Sequence, residues 1–152
     1  IAIALITGIA IVITTLFLTP QPANAATLQP DKPEVKTAIN EFLKSIPSDY
    51  YVVDSVNKFK NFVATKKPLV VDVREPSEYA QGHIPNAVNI PLRSLIENLD
   101  KIPTEKPVIL YCTSGHRTAI GMTALRVLGY NNISSFPPSI KGWKAAGEPL
   151  EK

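Results

Sequence analysis

The sequence predicts an α/β fold: a mostly parallel, five-stranded sheet with helices on both faces. Three observations carry this. Short apolar runs alternate along the chain with segments of helical spacing. The runs at residues 69–73 (Leu-Val-Val-Asp-Val, apolar but for Asp72) and 108–112 (Val-Ile-Leu-Tyr-Cys) are mainly apolar, as strands covered on both faces require. Proline and glycine stand where one element must stop and the next begin, at Pro68, Pro91, Gly129 and Gly147. Alternation of this kind implies parallel strands with crossover helices.

In chain order, residues 1–18 are an apolar run without charge, followed by Pro20 and Pro22, which end a helix. Ala23 and Ala25 form an A-x-A signature with cleavage expected after Ala25. Residues 1–25 therefore read as an export signal or, alternatively, a membrane anchor, since eighteen residues is at the short edge of a bilayer span. The chain starts at Ile1 without a methionine, so a basic segment is expected ahead of it. Either reading delivers the rest across a membrane, into a periplasm or a thylakoid-lumen-like compartment. Membrane contact is expected only through residues 1–18, if they are retained.

Residues 26–49 form a linker and a flanking helix. Asp31 is placed to cap it, and Val35, Ile39, Phe42, Leu43 and Ile46 give it an apolar face. Residues 50–152 carry the α/β pattern. Residues 51–53 are a first strand. Asp54 or Ser55 caps a helix with Val56, Phe59, Phe62 and Val63 inward. The strand at 69–73 follows, then a short helix from Pro76 and a turn at 82–86. Next come a strand at 87–90, a helix at 92–99, the strand at 108–112 and a helix from Ala119 to about Leu128. A last strand at 132–136 and a last helix at 140–146 complete the order, with Trp143 and Ile140 as core.

Composition narrows the function. The formal charge is +3, and every charged residue lies from Asp31 onward. No lysine run exceeds the pair Lys66-Lys67 and no aromatic–basic interleaving occurs, which argues against nucleic acid as a partner. One cysteine excludes an internal disulfide framework and a multi-cysteine metal site. Two histidines without an acidic cluster give no metal site and no cofactor is expected.

That cysteine, Cys112, closes the central strand. A six-residue loop follows, Cys112-Thr113-Ser114-Gly115-His116-Arg117, and then a helix. Backbone N–H groups of the loop and first helical turn point at whatever the sulfur carries, and the helix dipole adds about half a positive charge. Both favour thiolate over thiol. Sites in such sheets lie beyond the carboxyl ends of the strands, where Cys112 sits. His116 is placed to lower the thiol pKa when protonated, to contact an anionic substrate, or to face solvent as a spacer. Asp72 and Arg74, two apart at the end of the second strand, point the same way. They read either as supports, with Asp72 orienting Arg117 and Arg74 locking the turn at 75–78, or as a rim ion pair. His83 reads as a structural hydrogen bond in its turn.

Several spaced motifs in one order then carry a resemblance. Asp72-Val73-Arg74-Glu75-Pro76-Ser77-Glu78-Tyr79, Gly82-His83-Ile84-Pro85, Cys112-x-Ser114-Gly115-x-Arg117-Thr118 and Trp143-x-x-x-Gly147-x-Pro149 resemble the single-domain rhodanese family over residues 51–150. The resemblance implies a thiosulfate-type sulfurtransferase with a rhodanese-like fold over residues 50–152. It makes Cys112 the nucleophile that carries sulfur as a persulfide and passes it to cyanide or a thiol. The amides of Thr113 to Arg117 are then the cradle, and Arg117 and Arg74 support anion binding or loop shape. The implied partners are a small sulfur donor and a thiol acceptor, a thioredoxin-like protein among the candidates. Two departures stand out. Asn86 replaces the usual glycine after Ile-Pro, at little cost because asparagine tolerates left-handed backbone. Pro138-Ser139 replaces the glycine pair before the last helix, a loop near the site mouth in the family, and the stiffening bears on acceptor choice.

Loop length separates rivals. Phosphatase-type loops are Cys-x5-Arg, whereas Cys112 to Arg117 is Cys-x4-Arg and suits a single sulfur better than a phosphate. A phosphatase, an arsenate reductase or a redox thiol ranks low, the last because no resolving cysteine exists. A non-catalytic sulfur carrier or sensor is the alternative of another class.

Overall fold

The computed structural model describes residues 32–152. The signal-or-anchor reading and the Asp31 cap lie outside the described residues. No helix among those described is long and apolar enough to cross a membrane. The elements are α1 (Pro33–Ser45), α2 (Val56–Lys66), β1 (Leu69–Asp72), α3 (Pro76–Ala80), β2 (Val88–Asn89), two 3-10 segments (Leu92–Ser94 and Ile96–Lys101), β3 (Val108–Tyr111), α4 (His116–Val127), β4 (Ile133–Ser135) and α5 (Ser139–Ala145).

The sheet has the order β2-β1-β3-β4 and every pair is parallel. Leu69 pairs with Val108 and Asp72 with Tyr111, so β1 and β3 end level with each other. From β1 the chain steps outward to β2 and then crosses back to β3. The strand order therefore reverses between β1 and β3, and the crevice beyond their carboxyl ends is where α/β sheets bind ligands. Strand β3 is wholly buried, and the period-two pleat divides it between two cores. Val108, Leu110 and Cys112 face Met122 and Leu125 of α4. Ile109 and Tyr111 face Phe59, Phe136, Ile140 and Trp143. Cys112 thus continues the pleat just past the strand's end.

Three expectations are corrected. The fifth strand, residues 51–53, shrinks to a single parallel bridge between Val52 and Ser135. Tyr50 and Tyr51 have φ of 52° and 58°, so a left-handed turn occupies the residues that would have extended it. Only Val53 N–H to Ser135 O (2.8 Å) and Ser135 N–H to Tyr51 O (2.9 Å) remain of the pairing. The helix at 92–99 is instead 3-10 turns broken at Asn98 (φ −118°). The Asn98 side-chain amide donates to Ser94 O at 2.8 Å and so takes the carbonyl an α-helix would use there. Finally, α4 begins at His116 and not at Ala119, so His116 and Arg117 belong to its first turn.

Of the apolar face expected for α1, Phe42 is buried while Val35, Ile39 and Leu43 stay exposed. Ser55, not Asp54, caps α2, its hydroxyl accepting from Lys58 N–H at 3.3 Å.

Candidate active site

Cys112 is 2% exposed, and its backbone is held on both sides. Its N–H donates to Ser139 Oγ at 3.1 Å, and its carbonyl accepts from Ile140 N–H at 3.1 Å. The chain then turns through Thr113, Ser114 and Gly115, and Gly115 N–H comes back to donate to Cys112 Sγ at 3.2 Å. That return requires φ of 91° at Gly115, and a Cβ there would stand 3.0 Å from Pro137 O. Glycine is needed for both reasons. The N–H groups of the first α4 turn have no intrahelical acceptor and remain available to the sulfur.

Burial pushes the Cys112 thiol up. The Thr118 hydroxyl and the N–H groups of Thr118, Ser114 and Gly115 outweigh it, and the thiol lies below its ordinary value of 9.0. The Thr118 side chain is fully buried, and its hydroxyl has no hydrogen-bond partner of standard geometry among the described residues.

Arg117 does not face Asp72. Its Nη1 donates to Glu78 Oε2 at 2.6 Å and its Nη2 to Glu78 Oε1 at 2.8 Å, the fork-to-fork geometry that favours arginine. Nη2 also donates to Thr113 Oγ1 at 2.7 Å, and that hydroxyl donates to Glu78 Oε1 at 3.0 Å. The clamp ties the Cys112 loop, α4 and α3 together. The Arg117 guanidinium holds the Glu78 carboxyl down at about 2. Glu78 therefore stays ionised throughout the range in which a thiol titrates, and the sulfur's pH profile is read without interference from the clamp. Alkylation of Cys112 by a neutral electrophile should rise with pH as thiolate forms and level off with a midpoint below 9.0. A midpoint at or above that value would contradict the donor arrangement.

Asp72 and Arg74 pair with each other, fully and almost fully buried. Arg74 Nε lies 2.9 and 2.8 Å from the two Asp72 oxygens, and Arg74 Nη2 also donates to Gly82 O at 2.9 Å. The rim reading is thereby corrected to a buried one. The turn that Arg74 locks is the one at Gly82, not the one at 75–78. Asn89 Nδ2 donates to the carbonyls of both Asp72 and Arg74, each at 2.9 Å, and closes the end of β1 onto β2.

Ser114 and His116 are exposed, and the polar neighbour of the His116 ring is Ser114 Oγ at 3.4 Å. His83 keeps its structural part: it stacks on Tyr79 with centroids 3.8 Å apart and its Nδ1 lies 3.3 Å from Tyr79 O. Trp143 is buried in the core as expected, its Nε1 donating to Pro149 O at 2.7 Å.

With this geometry in place, the match of the Rhodanese-like domain family model to residues 55–146 has a physical counterpart in every element that holds Cys112. The chain belongs to the rhodanese-like family. It is 32% identical over 98 residues to a sulfurtransferase of Allochromatium vinosum, covering 64% of this chain and 92% of that protein. It is 35% identical over 108 residues to the thiosulfate:glutathione sulfurtransferase of Saccharomyces cerevisiae, covering 61% and 78%. Among solved structures it resembles a rhodanese-related protein from Thermoplasma volcanium, with 31% identity, a TM-score of 0.59 and coverage of 66% of this chain and 96% of that one.

Besides Thr118, two residues around Cys112 have contacts that the sequence does not announce. Glu78 was legible as part of a motif, but its reach of 39 residues to Arg117 was not. From the sequence, Ser139 is expected to be a stiffened substitute for glycine. In fact it takes the left-handed conformation itself, with φ of 53°. That is an uncommon state for serine, held here by hydrogen bonds on both sides. Its Oγ donates to Phe136 O at 2.8 Å while accepting from Cys112 N–H, and stands 3.8 Å from the sulfur. No local pattern announces a contact between residues 27 positions apart.

Proposed function

We propose that this rhodanese-like domain is a sulfurtransferase that carries sulfane sulfur on Cys112. The observation that supports this most directly is Gly115 N–H donating to Cys112 Sγ at 3.2 Å inside a short loop opening a helix. In the first step the Cys112 thiolate attacks the outer sulfur of thiosulfate. The new bond is Cys112 S–S, the bond that breaks is the S–S bond of thiosulfate, and sulfite leaves with its electron pair. The product persulfide is an anion, so the N–H groups that favour the thiolate also favour the product. In the second step a thiolate or cyanide attacks the outer sulfur, takes it as a persulfide or thiocyanate, and returns Cys112 as thiolate. His116, exposed beside Ser114, stands at the loop rim where an anionic donor arrives. The amides of Thr113, Ser114, Gly115, His116 and Arg117 frame the reacting sulfurs.

Arg117 and Arg74 act in this scheme through shape. Each is committed to a carboxylate, Glu78 or Asp72, and neither presents a free charge to a donor. Steady-state assays with thiosulfate and a panel of acceptors (cyanide, monothiols, dithiols and a thioredoxin-like protein) test the reading. Release of thiocyanate or persulfide is expected. Sulfur loading without release to any acceptor would mark a carrier or sensor instead, and phosphate-ester hydrolysis would favour the phosphatase-type alternative. From residues 1–25 we propose delivery across a membrane. N-terminal sequencing of the protein made in cells distinguishes cleavage after Ala25 from retention as an anchor.

A further inference from the structure

Beside the Cys112 loop, on its α5 side, lies a cavity of about 230 Å³ lined by Arg74, Glu78, Gln81, Thr113, Lys141 and Lys144 among others. Its position is fixed by the backbone: Ile140 N–H donates to Cys112 O, and Lys141 N–H to Thr113 O at 3.2 Å. Lys141 and Lys144 are three residues apart in α5 and share a face. The remaining charges of the cavity cancel. Arg74 is neutralised by Asp72 and Glu78 by Arg117, whereas neither lysine joins an ion pair among the described residues. The cavity therefore carries uncompensated positive charge next to the loop.

We infer that Lys141 and Lys144 recognise the carboxylate of a small anionic thiol that accepts sulfur from Cys112, a specificity that rests on the sulfurtransferase reading above. The donor does not fit this place. In thiosulfate the sulfonate sits one bond from the sulfur under attack, and Cys112 is not part of the cavity lining. A group held by the two lysines must instead reach the sulfur through a carbon chain. The volume suits one carboxylate-bearing arm and is small for a drug-sized ligand. In the transfer step the acceptor's thiolate forms a bond to the outer sulfur of the Cys112 persulfide, the Cys112 S–S bond breaks, and its electron pair returns to Cys112. The lysines are positioning residues for the acceptor and take no part in bond making.

The test compares the full chain with Lys141→Gln/Lys144→Gln, using 3-mercaptopropionate as anionic acceptor and 2-mercaptoethanol as neutral one. The quantity read is the ratio of kcat/KM for the two thiols, so that their intrinsic reactivities cancel between proteins. The ratio is expected to fall about fivefold or more in the double variant, through KM. The wild-type ratio should also fall as salt rises, and that of the variant should not. Lys141→Glu/Lys144→Glu should lower it further. Persulfide loading is recorded first. Failure of the wild-type protein to load contradicts the sulfurtransferase reading itself. Loading with an unchanged acceptor ratio overturns the lysine assignment alone, as does a defect confined to the loading step, which would assign the cavity to the donor.

Discussion

Cys112→Ser is expected to abolish sulfur transfer, with a loss on the order of 10³-fold or more. Serine preserves the shape of the site, so the loss reports chemistry. The N–H groups of Ser114, Gly115 and Thr118 and the Thr118 hydroxyl favour the anion of a thiol whose ordinary pKa is 9.0. A serine hydroxyl lies too far above neutral pH for the same donors to ionise it, and its oxygen forms no stable analogue of a persulfide. Thermal stability should change little, because a serine hydroxyl in place of the buried Cys112 thiol still has the Gly115 N–H to accept from. Rates near wild type in a folded serine variant would contradict the assignment of the nucleophile.

Arg74→Ala is expected to have the largest effect on stability. Asp72 is fully buried and Arg74 nearly so. Removing the guanidinium leaves a buried carboxylate without its counter-charge, a change that costs about 3–5 kcal/mol. It also strips Gly82 O of its donor. A melting temperature lower by about 10 °C or more follows for a domain of this size. Replacing both partners by apolar residues, Asp72→Leu with Arg74→Met, should restore much of the loss, since the penalty comes from the orphaned charge. Denaturant unfolding checks both proteins. A cost under about 1 kcal/mol for Arg74→Ala would mean that the pair behaves as an exposed one.

The α/β class was legible because β1, up to Asp72, and β3 are apolar at consecutive positions and helical spacing lies between them. Cys112 was legible for a related reason: a lone cysteine at a strand end ahead of a helix has few structural uses. What the sequence concealed was long-range pairing. Asp72 and Glu78 are both acidic and both near the loop, and nothing in their local pattern says which takes Arg117. The choice is geometric, since Glu78 on α3 reaches both Arg117 nitrogens while Asp72 is already filled by Arg74 two residues away. The missing fifth strand has the same character. Residues 51–53 have strand composition, but left-handed backbone at Tyr50 and Tyr51 spends the length needed for pairing. Ser139 shows the limit most plainly, because its value lies in a conformation that its residue type seldom adopts.

If Cys112 is the nucleophile, its sulfur holds a second, transferable sulfur atom. Intact-mass measurement after incubation with thiosulfate, followed by peptide mapping, tests it directly. A gain of one sulfur atom is expected on the peptide that contains Cys112, reversed by cyanide or a thiol and absent from Cys112→Ser. An unchanged mass under conditions in which the thiol remains free and alkylatable would contradict it.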